Sequence, residues 1–403
     1  MSATTSLHSR SILAGYDPER LHAGKVLVVG LGALGQNVVQ NLALLGVGQL
    51  MLVDYDVFEG HNATRSPFYP TRAEAGRLGR GKAIIVAHRA AQVSTASKAD
   101  VFYSSRLVQV LGDGAVSWAD VVVAAVDSLN ARAWLAERCR LLARPMVEGG
   151  FSGADFNLSA FAPTKEAVCY RCGRPERESS MSCTAYALAA EKARIIPAIQ
   201  TSAAVLGGYQ AEQVVQLLHG KLDRLGYRSY GNVRRETLQK AQLMADEHCM
   251  GIHLPEPVIG TVRGLGAQAT LSDLAAAVSD QFGGGRIRLA EHVIPKTSCT
   301  RCKKPCLVQA TESSWLADPR CSDCGGPWPV TEAFMPDSVG EFGSGDQLTS
   351  ELAGTLLDNI GVRAGASLSV VLRDGRSGLL QMDGSILGCV DRAVPADTAA
   401  TDL

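Results

Sequence analysis

KVLVVGLGALGQNVVQNLALLG, residues 25–46, is the stretch whose reading decides the fold. Lys25 to Gly30 is an apolar, β-branched run ending in glycine, which reads as a strand buried on both faces. Gly30, Gly32, Ala33 and Gly35 then form a tight turn, and QNVVQNLALLG continues with helical periodicity. Gln49 to Asp54 (QLMLVD) reads as a second strand with an acid at its end. Further strands are expected at Asp100 to Tyr103, Asp120 to Val126, Pro145 to Glu148 and Leu158 to Phe161. Strands alternating with helical stretches predict an α/β fold with a doubly wound, mostly parallel sheet.

Working outward, 403 residues are too many for one core, so several domains are expected. Hydrophobic residues make up 46% and charged residues 20%, a globular balance. The formal net charge of −1 gives no bulk attraction to nucleic acid or an anionic membrane, and neither partner is expected. MSATTSLHSRSIL at the start lacks a signal-peptide layout, and no apolar run is long enough to span a bilayer. A cytoplasmic location is expected. Thr201 to Leu218 has helical periodicity, Ser272 is the expected N-cap of a short helix, and another helix is expected over Gln347 to Ile360. Residues from about Leu222 are mixed and basic (RLGYRSYGNVRR), and the last ten form a frayed tail.

The glycine turn favours phosphate: Gly30 permits the bend, Gly32 lets backbone approach, and Gly35 lets helix and strand pack closely. Alone it points to a dinucleotide, and hence to an NAD-dependent oxidoreductase. DYDVFEGHNATR at residues 54–65 shifts that reading. Asp54 suits ribose hydroxyls, but a dehydrogenase has no need of Asn62 and Arg65 so soon after it. An enzyme that moves phosphoryl charge does, because arginine clamps phosphate bidentately. Lys82 follows a glycine-rich turn (LGRGKA) and adds a point charge, and Asp127, ending a strand beside Ser128, suits magnesium.

With GLGALG, the 54–65 segment, Lys82, Val126-Asp127-Ser128-Leu129-Asn130-Ala131-Arg132, CYRCGRPE at 169–176 and Ser9-Arg10-Ser11-Ile12, the chain resembles the ThiF/MoeB family, the ancestral form of ubiquitin-activating (E1-like) enzymes. The resemblance runs over residues 8 to 220, although the stretch between Arg65 and Lys82 is longer than is usual there. It implies a Rossmann-like adenylation domain and an ATP-dependent adenylyltransferase acting on a ubiquitin-like or sulfur-carrier protein ending in glycine. It further implies ribose at Asp54, phosphates at Asn62, Arg65 and Lys82, and magnesium at Asp127. Arg10 would be an arginine finger, often supplied by the second protomer of a homodimer. In relatives a cysteine in the crossover loop attacks the acyl-adenylate, a role that would fall on Cys183; members that only adenylate do not need it. A conjugating (E2-like) enzyme is a further expected partner.

Eleven cysteines, six of them in three C-x-x-C pairs, favour metal binding in a reducing compartment. Cys169 and Cys172 offer two corners of a tetrahedral zinc site, and Cys249 and His253 (CMGIH) have a usual ligand spacing. Cys299, Cys302, Cys321 and Cys324 have zinc-ribbon spacing. Two structural zincs are therefore predicted; the alternative pairs Cys169 and Cys172 with a later knuckle. Cys139 is expected inside a helix, and Cys306 and Cys389 belong to no motif. The expected domains are residues 1–225 for adenylation, 226–295 as a connector completing the first zinc site, 296–335 as a zinc-ribbon-like module, and 336–403 as a small α+β module with its tail. Readings that stay open are a sulfur-carrier adenylyltransferase without a thioester, an enzyme acting on a carboxylate of modified tRNA, the NAD-dependent oxidoreductase, and a catalytically silent scaffold.

Overall fold

The computed structural model describes residues 7–96, 98–163, 168–172, 198–221, 225–249, 251–299, 301–317, 320–321, 323–326 and 338–393. The chain divides into two compact units: Met1–Arg106 with Ala119–Pro255 and Val390–Leu403, and Leu107–Trp118 with Glu256–Cys389.

The first unit opens with two short helices, α1 (Ser9–Leu13) and α2 (Pro18–Ala23), before β1 (Lys25–Val29), α3 (Ala33–Leu44) and β2 (Gln49–Val53). Four of the five residues of β1 and of β2 are fully buried, as a strand covered on both faces requires. After α4 (Arg72–Leu78) and α5 (Lys82–Val93) come β3 (Asp100–Ser104), β4 (Val121–Ala124), β5 (Met146–Ser152), β6 (Asp155–Phe161), a long helix (Gln200–Leu218), β7 (Tyr227–Asn232) and β8 (Thr237–Gln242). The sheet order is β15-β3-β2-β1-β4-β5-β6-β7-β8, where β15 is the two-residue strand Asp391–Arg392. Strands β3 through β5 run parallel, whereas β6, β7 and β8 extend the sheet antiparallel. The expected doubly wound sheet is thus present, with an antiparallel wing on one side. The sequence showed no strands over β7 and β8, because every residue of β8 is exposed and carries no apolar alternation.

The long helix lies along α3. Gly207 makes this possible: a Cβ there would stand 2.6 Å from the Cβ of Asn37. Asn37 and Gln200 exchange hydrogen bonds beside it.

The second unit holds β9 (Val258–Val262), β10 (Gly285–Ser298), β11 (Pro305–Thr311), β12 (Val339–Gly343), β13 (Ser367–Leu372) and β14 (Ser377–Met382). Its order is β11-β10-β13-β14-β9, with β12 on β10 and only β9–β14 parallel. Helix Leu271–Phe282 buries Leu271, Leu274, Ala275 and Val278 in a core with Ile287, Phe342, Leu368 and Val370. Its N-cap is Thr270 and not Ser272: Thr270 Oγ1 accepts from Asp273 N–H at 3.3 Å while Asp273 accepts from Thr270 N–H at 2.8 Å. The helix expected over Gln347–Ile360 is two short pieces, Ser350–Ala353 and Leu357–Ile360, because Gly354 ends the first and Leu356 bridges in extended form to Thr270. Residues 107–118 belong here too: Asp113 accepts from Ser367 N–H at 2.8 Å, and Arg363 donates to the Val110 carbonyl at 3.0 Å. No helix among the described residues is long and apolar enough to cross a membrane.

Gly207→Val is expected to push α3 and the long helix apart, costing about 1–3 kcal/mol; the measurement is the midpoint shift in urea unfolding.

Candidate functional site

The glycine turn is built by close backbone contact. Gly30 has φ +87°, and a Cβ there would lie 2.6 Å from the Ala125 carbonyl oxygen. A Cβ on Gly35 would meet the Gly30 carbonyl oxygen at 1.9 Å, so α3 can start here only with glycine. Gly32 is the N-cap of α3, has open space where a side chain would be, and no side chain caps the helix. The first helical hydrogen bond returns from Gln36 N–H to the Gly32 carbonyl at 3.1 Å. The N–H groups of Ala33, Leu34 and Gly35 are therefore left at a helix N-terminus, the arrangement that binds phosphate.

Asp54 closes this turn from β2. Its carboxylate accepts from Leu31 N–H at 2.6 Å and Asp56 N–H at 2.8 Å. Burial pushes its carboxyl up, against the Lys82 charge and those two donors. Lys82 is the first residue of α5; its Nζ lies 2.8 Å from Asp56 Oδ2 and its N–H donates to the Asp56 carbonyl. Asn62 is buried in a 3-10 turn, with its Oδ1 accepting from Glu59 N–H at 2.9 Å. Arg65 follows, half-buried, with its N–H bonded to the Asn62 carbonyl and no side-chain partner among the described residues.

On the neighbouring strand, Asp127 is exposed just beyond β4, and Ser128 caps the helix Leu129–Leu141 by accepting from Ala131 N–H at 3.3 Å. Burial leads the causes that push the Tyr55 phenol up, followed by the charges of Asp56, Asp127 and Asp54. The turn, Asp54 and Lys82 are thus brought together, and Asp127 follows the end of β4, the strand beside β1. Arg10 is exposed on α1, with no described side-chain partner, and Cys183 lies outside the described residues.

Two supports have no counterpart in the motif reading. Gln36 is fully buried: its amide donates to the Leu31 carbonyl at 2.8 Å and to Ser66 Oγ at 3.3 Å, and accepts from Phe68 N–H at 3.0 Å. It ties the segment carrying Arg65 to the glycine turn. Glu148, also fully buried, lies 3.3 Å from Arg132, whose guanidinium donates to the Val126 carbonyl at 2.5 Å, next to Asp127. Arg228 of β7 approaches the same carboxylate at 3.8 Å. A polar residue in the apolar face of a helix was the one available signal for Gln36.

The cysteines gather in two groups. Cys169, Cys172, Cys249 and His253 have their ligand atoms within 4.8 Å of one another, and so do Cys299, Cys302, Cys321 and Cys324. Sulfur ligands at about 2.3 Å from a tetrahedral zinc stand about 3.8 Å apart. Here Cys172–Cys169 is 3.7 Å, Cys172–His253 Nε2 3.7 Å, Cys299–Cys324 3.7 Å and Cys302–Cys321 3.8 Å. Gly251 is needed at the first cluster, since a Cβ would lie 2.7 Å from Cys169 Sγ. At the second, hydrogen bonds from Cys302 and Arg301 N–H hold the Cys299 thiol down, and the Cys324 N–H leads the causes that bring Cys321 to about 6. Both donor sets fit zinc. Cys306 lies 3.4 Å from Cys321, a neighbour its isolation in sequence did not disclose. Cys139 is buried in the helix Leu129–Leu141, and burial drives its thiol up.

Comparison with known proteins gives a match to the family model described as ThiF family over residues 8–250. The ThiS adenylyltransferase of Escherichia coli (strain K12) is 28% identical over 203 residues, covering 50% of this chain and 75% of that protein. The adenylyltransferase and sulfurtransferase MOCS3 of Bos taurus is 34% identical over 167 residues, 41% of this chain and 35% of that one. Ubiquitin-activating enzyme E1 2 of Arabidopsis thaliana is 30% identical over 178 residues, 42% of this chain and only 16% of its own length. The chain thus spans a small part of the longer relatives. The crystal structure of Escherichia coli MccB with ATP shares the fold, with a TM-score of 0.52, 18% identity, and coverage of 62% of this chain and 75% of that one.

Gln36→Leu leaves the Phe68 N–H and Leu31 carbonyl without this partner in a buried setting. The expected loss is about 1–3 kcal/mol per stranded group, read as a lowered unfolding midpoint in urea.

Proposed function

Because the chain belongs to the ThiF family, we propose that it uses ATP to adenylate the C-terminal glycine carboxylate of a ubiquitin-like or sulfur-carrier protein. The observation that carries this reading is the gathering of a bare helix N-terminus, Asp54 and Lys82 around one glycine turn, with Asp127 beyond the end of the neighbouring β4 and Arg65, which has no side-chain partner among the described residues, tied to the turn through Gln36. A dinucleotide site needs the first two; the cations suit a triphosphate.

A carboxylate oxygen of the carrier attacks the α-phosphorus, the bond to the bridging β-oxygen breaks, and pyrophosphate leaves with its electron pair. The product is an acyl-adenylate. Charge neutralisation and positioning supply most of the acceleration. The α3 N–H groups and Gly32 take phosphate oxygens, Asp54 orients the ribose, and Asn62, Arg65 and Lys82 hold the β- and γ-phosphates. Lys82 exchanges Asp56 for phosphate as it does so. Asp127, exposed and beside Ser128, would hold magnesium, which supplies further neutralisation when bound. Arg10, from a second protomer of a homodimer, completes the cationic set. At Cys183 the sulfur then attacks the acyl carbon, AMP leaves, and a thioester remains for transfer to a conjugating enzyme. The two cysteine clusters each hold a structural zinc. Within this reading the second unit serves recruitment of the carrier or of that enzyme.

Carrier-dependent exchange of labelled pyrophosphate into ATP tests the first step. Arg65→Ala and Asp127→Ala are each expected to lower it about 100- to 1000-fold while leaving unfolding midpoints nearly unchanged, since Arg65 has no described partner and Asp127 is exposed. Undiminished exchange in both variants rejects the site. Cys183→Ala should keep exchange and lose any reducible adduct with the carrier; full exchange with no adduct in the wild-type protein favours adenylation alone. Elemental analysis is expected to find about two zincs per chain, falling to about one in Cys299→Ser/Cys302→Ser.

A further inference from the structure

The segment that carries Arg10 is touched ahead of α1, where the His8 ring lies against Gly46, and is not buried along its own length. None of the five residues of α1 is buried, and a helix of that length has no stability of its own in water. Leu13 at its end is 87% exposed, and Leu7, two residues before its start, is 76% exposed.

The chain is fastened immediately afterwards, to the end of the helix Gln200–Leu218. The Tyr16 hydroxyl donates to Glu212 Oε2 at 2.5 Å. Asp17 N–H donates to His219 Nε2 at 2.7 Å, and Arg20 donates to the His219 carbonyl oxygen at 3.0 Å. Leu21 then enters the core of the unit. The Glu212 hydrogen bond leads the causes that push the Tyr16 phenol up to about 12, so the hydroxyl stays a donor.

His219 is the unusual member. It is the C-cap of the helix, and its ring is committed at both nitrogens. A backbone amide can only donate, so Nε2 must accept from Asp17; Nδ1 therefore carries the proton and donates to the Val215 carbonyl at 2.7 Å. One neutral tautomer satisfies both bonds, joining the helix terminus to the residue that starts α2.

Resting on the adenylation reading above, we infer that His219 is a positioning residue: it latches the N-terminal segment to the helix end and so sets where Arg10 can reach a triphosphate. It touches neither nucleotide nor carrier and acts through Arg10.

A double-mutant cycle tests this. His219→Phe keeps a ring of similar size and removes both nitrogens. It is expected to lower kcat for carrier-dependent pyrophosphate exchange about five- to tenfold, the worth of one lost hydrogen bond, with the KM for ATP unchanged. In an Arg10→Ala background the same substitution should have no further effect. His219→Gln, which retains an acceptor and a donor, should recover most of the rate. Tryptic cleavage after Arg10 should be several-fold faster in His219→Phe than in the wild type. An equal loss in both backgrounds, or no loss in the wild type, overturns the latch. If His219→Phe does not fold, Tyr16→Phe runs the same cycle with one hydroxyl removed. Absence of exchange in the wild-type protein defeats the adenylation reading, not the latch; the cleavage rates then decide alone, and equal rates overturn it.

Discussion

At the head of α3, the position of Gly35 places the helix so close to the Gly30 carbonyl that no β-carbon fits between them. That approach fixes the direction in which the helix leaves the sheet, and with it the direction of its dipole and free N–H groups. Gly30 in turn presses on the Ala125 carbonyl, so the same contact sets the spacing of β1 and β4. Asp127 sits three residues past the end of β4 and Asp54 one past the end of β2. The acids are where they are because three backbone segments meet without side chains.

Around that contact the polar scaffold is buried and nearly saturated. Gln36 uses its amide oxygen and nitrogen on three partners, Leu31 in the turn and Ser66 and Phe68 in the segment after Arg65. Glu148 faces two arginines, and one of these holds the Val126 carbonyl. A buried carboxylate is costly unless paired, and breaking one partner leaves an uncompensated charge. Such groups hold the site in a single geometry, so that the orienting residues need little rearrangement when charge arrives. The exposed or half-buried Arg65, Asp127 and Arg10 are the opposite kind: they have no described side-chain partners and are open to a ligand.

What could be read in the sequence follows this division. β1, β2 and the glycine turn with its helix are local patterns, and the structure puts them where the sequence placed them. The four-residue cysteine groups were legible because ligand spacing is itself local, although Cys169 and Cys249 are 80 positions apart. Gln36, Glu148 and the Cys306–Cys321 neighbours were not, since each owes its meaning to residues brought together only by folding. The antiparallel wing was hidden for another reason: every residue of β8 is exposed, and the strand has no hydrophobic alternation to betray it. Thr270 and Ser272 are both good caps, and the choice fell to Asp273, three positions after Thr270, which makes the bond reciprocal.

The outermost strand on the β3 edge is Asp391–Arg392, and Ala393 beside it is buried in the first core. The chain leaves that unit after residue 106, returns at 119, departs again after 255 and comes home at 390. During synthesis the first unit therefore stays unfinished until the second has been translated, with the β3 edge uncovered throughout. An uncovered edge is a template for wrong pairing, and contacts this distant in sequence form late. Maturation of the first unit is in this way made contingent on emergence of the second, an ordering written into chain topology and not into any contact surface.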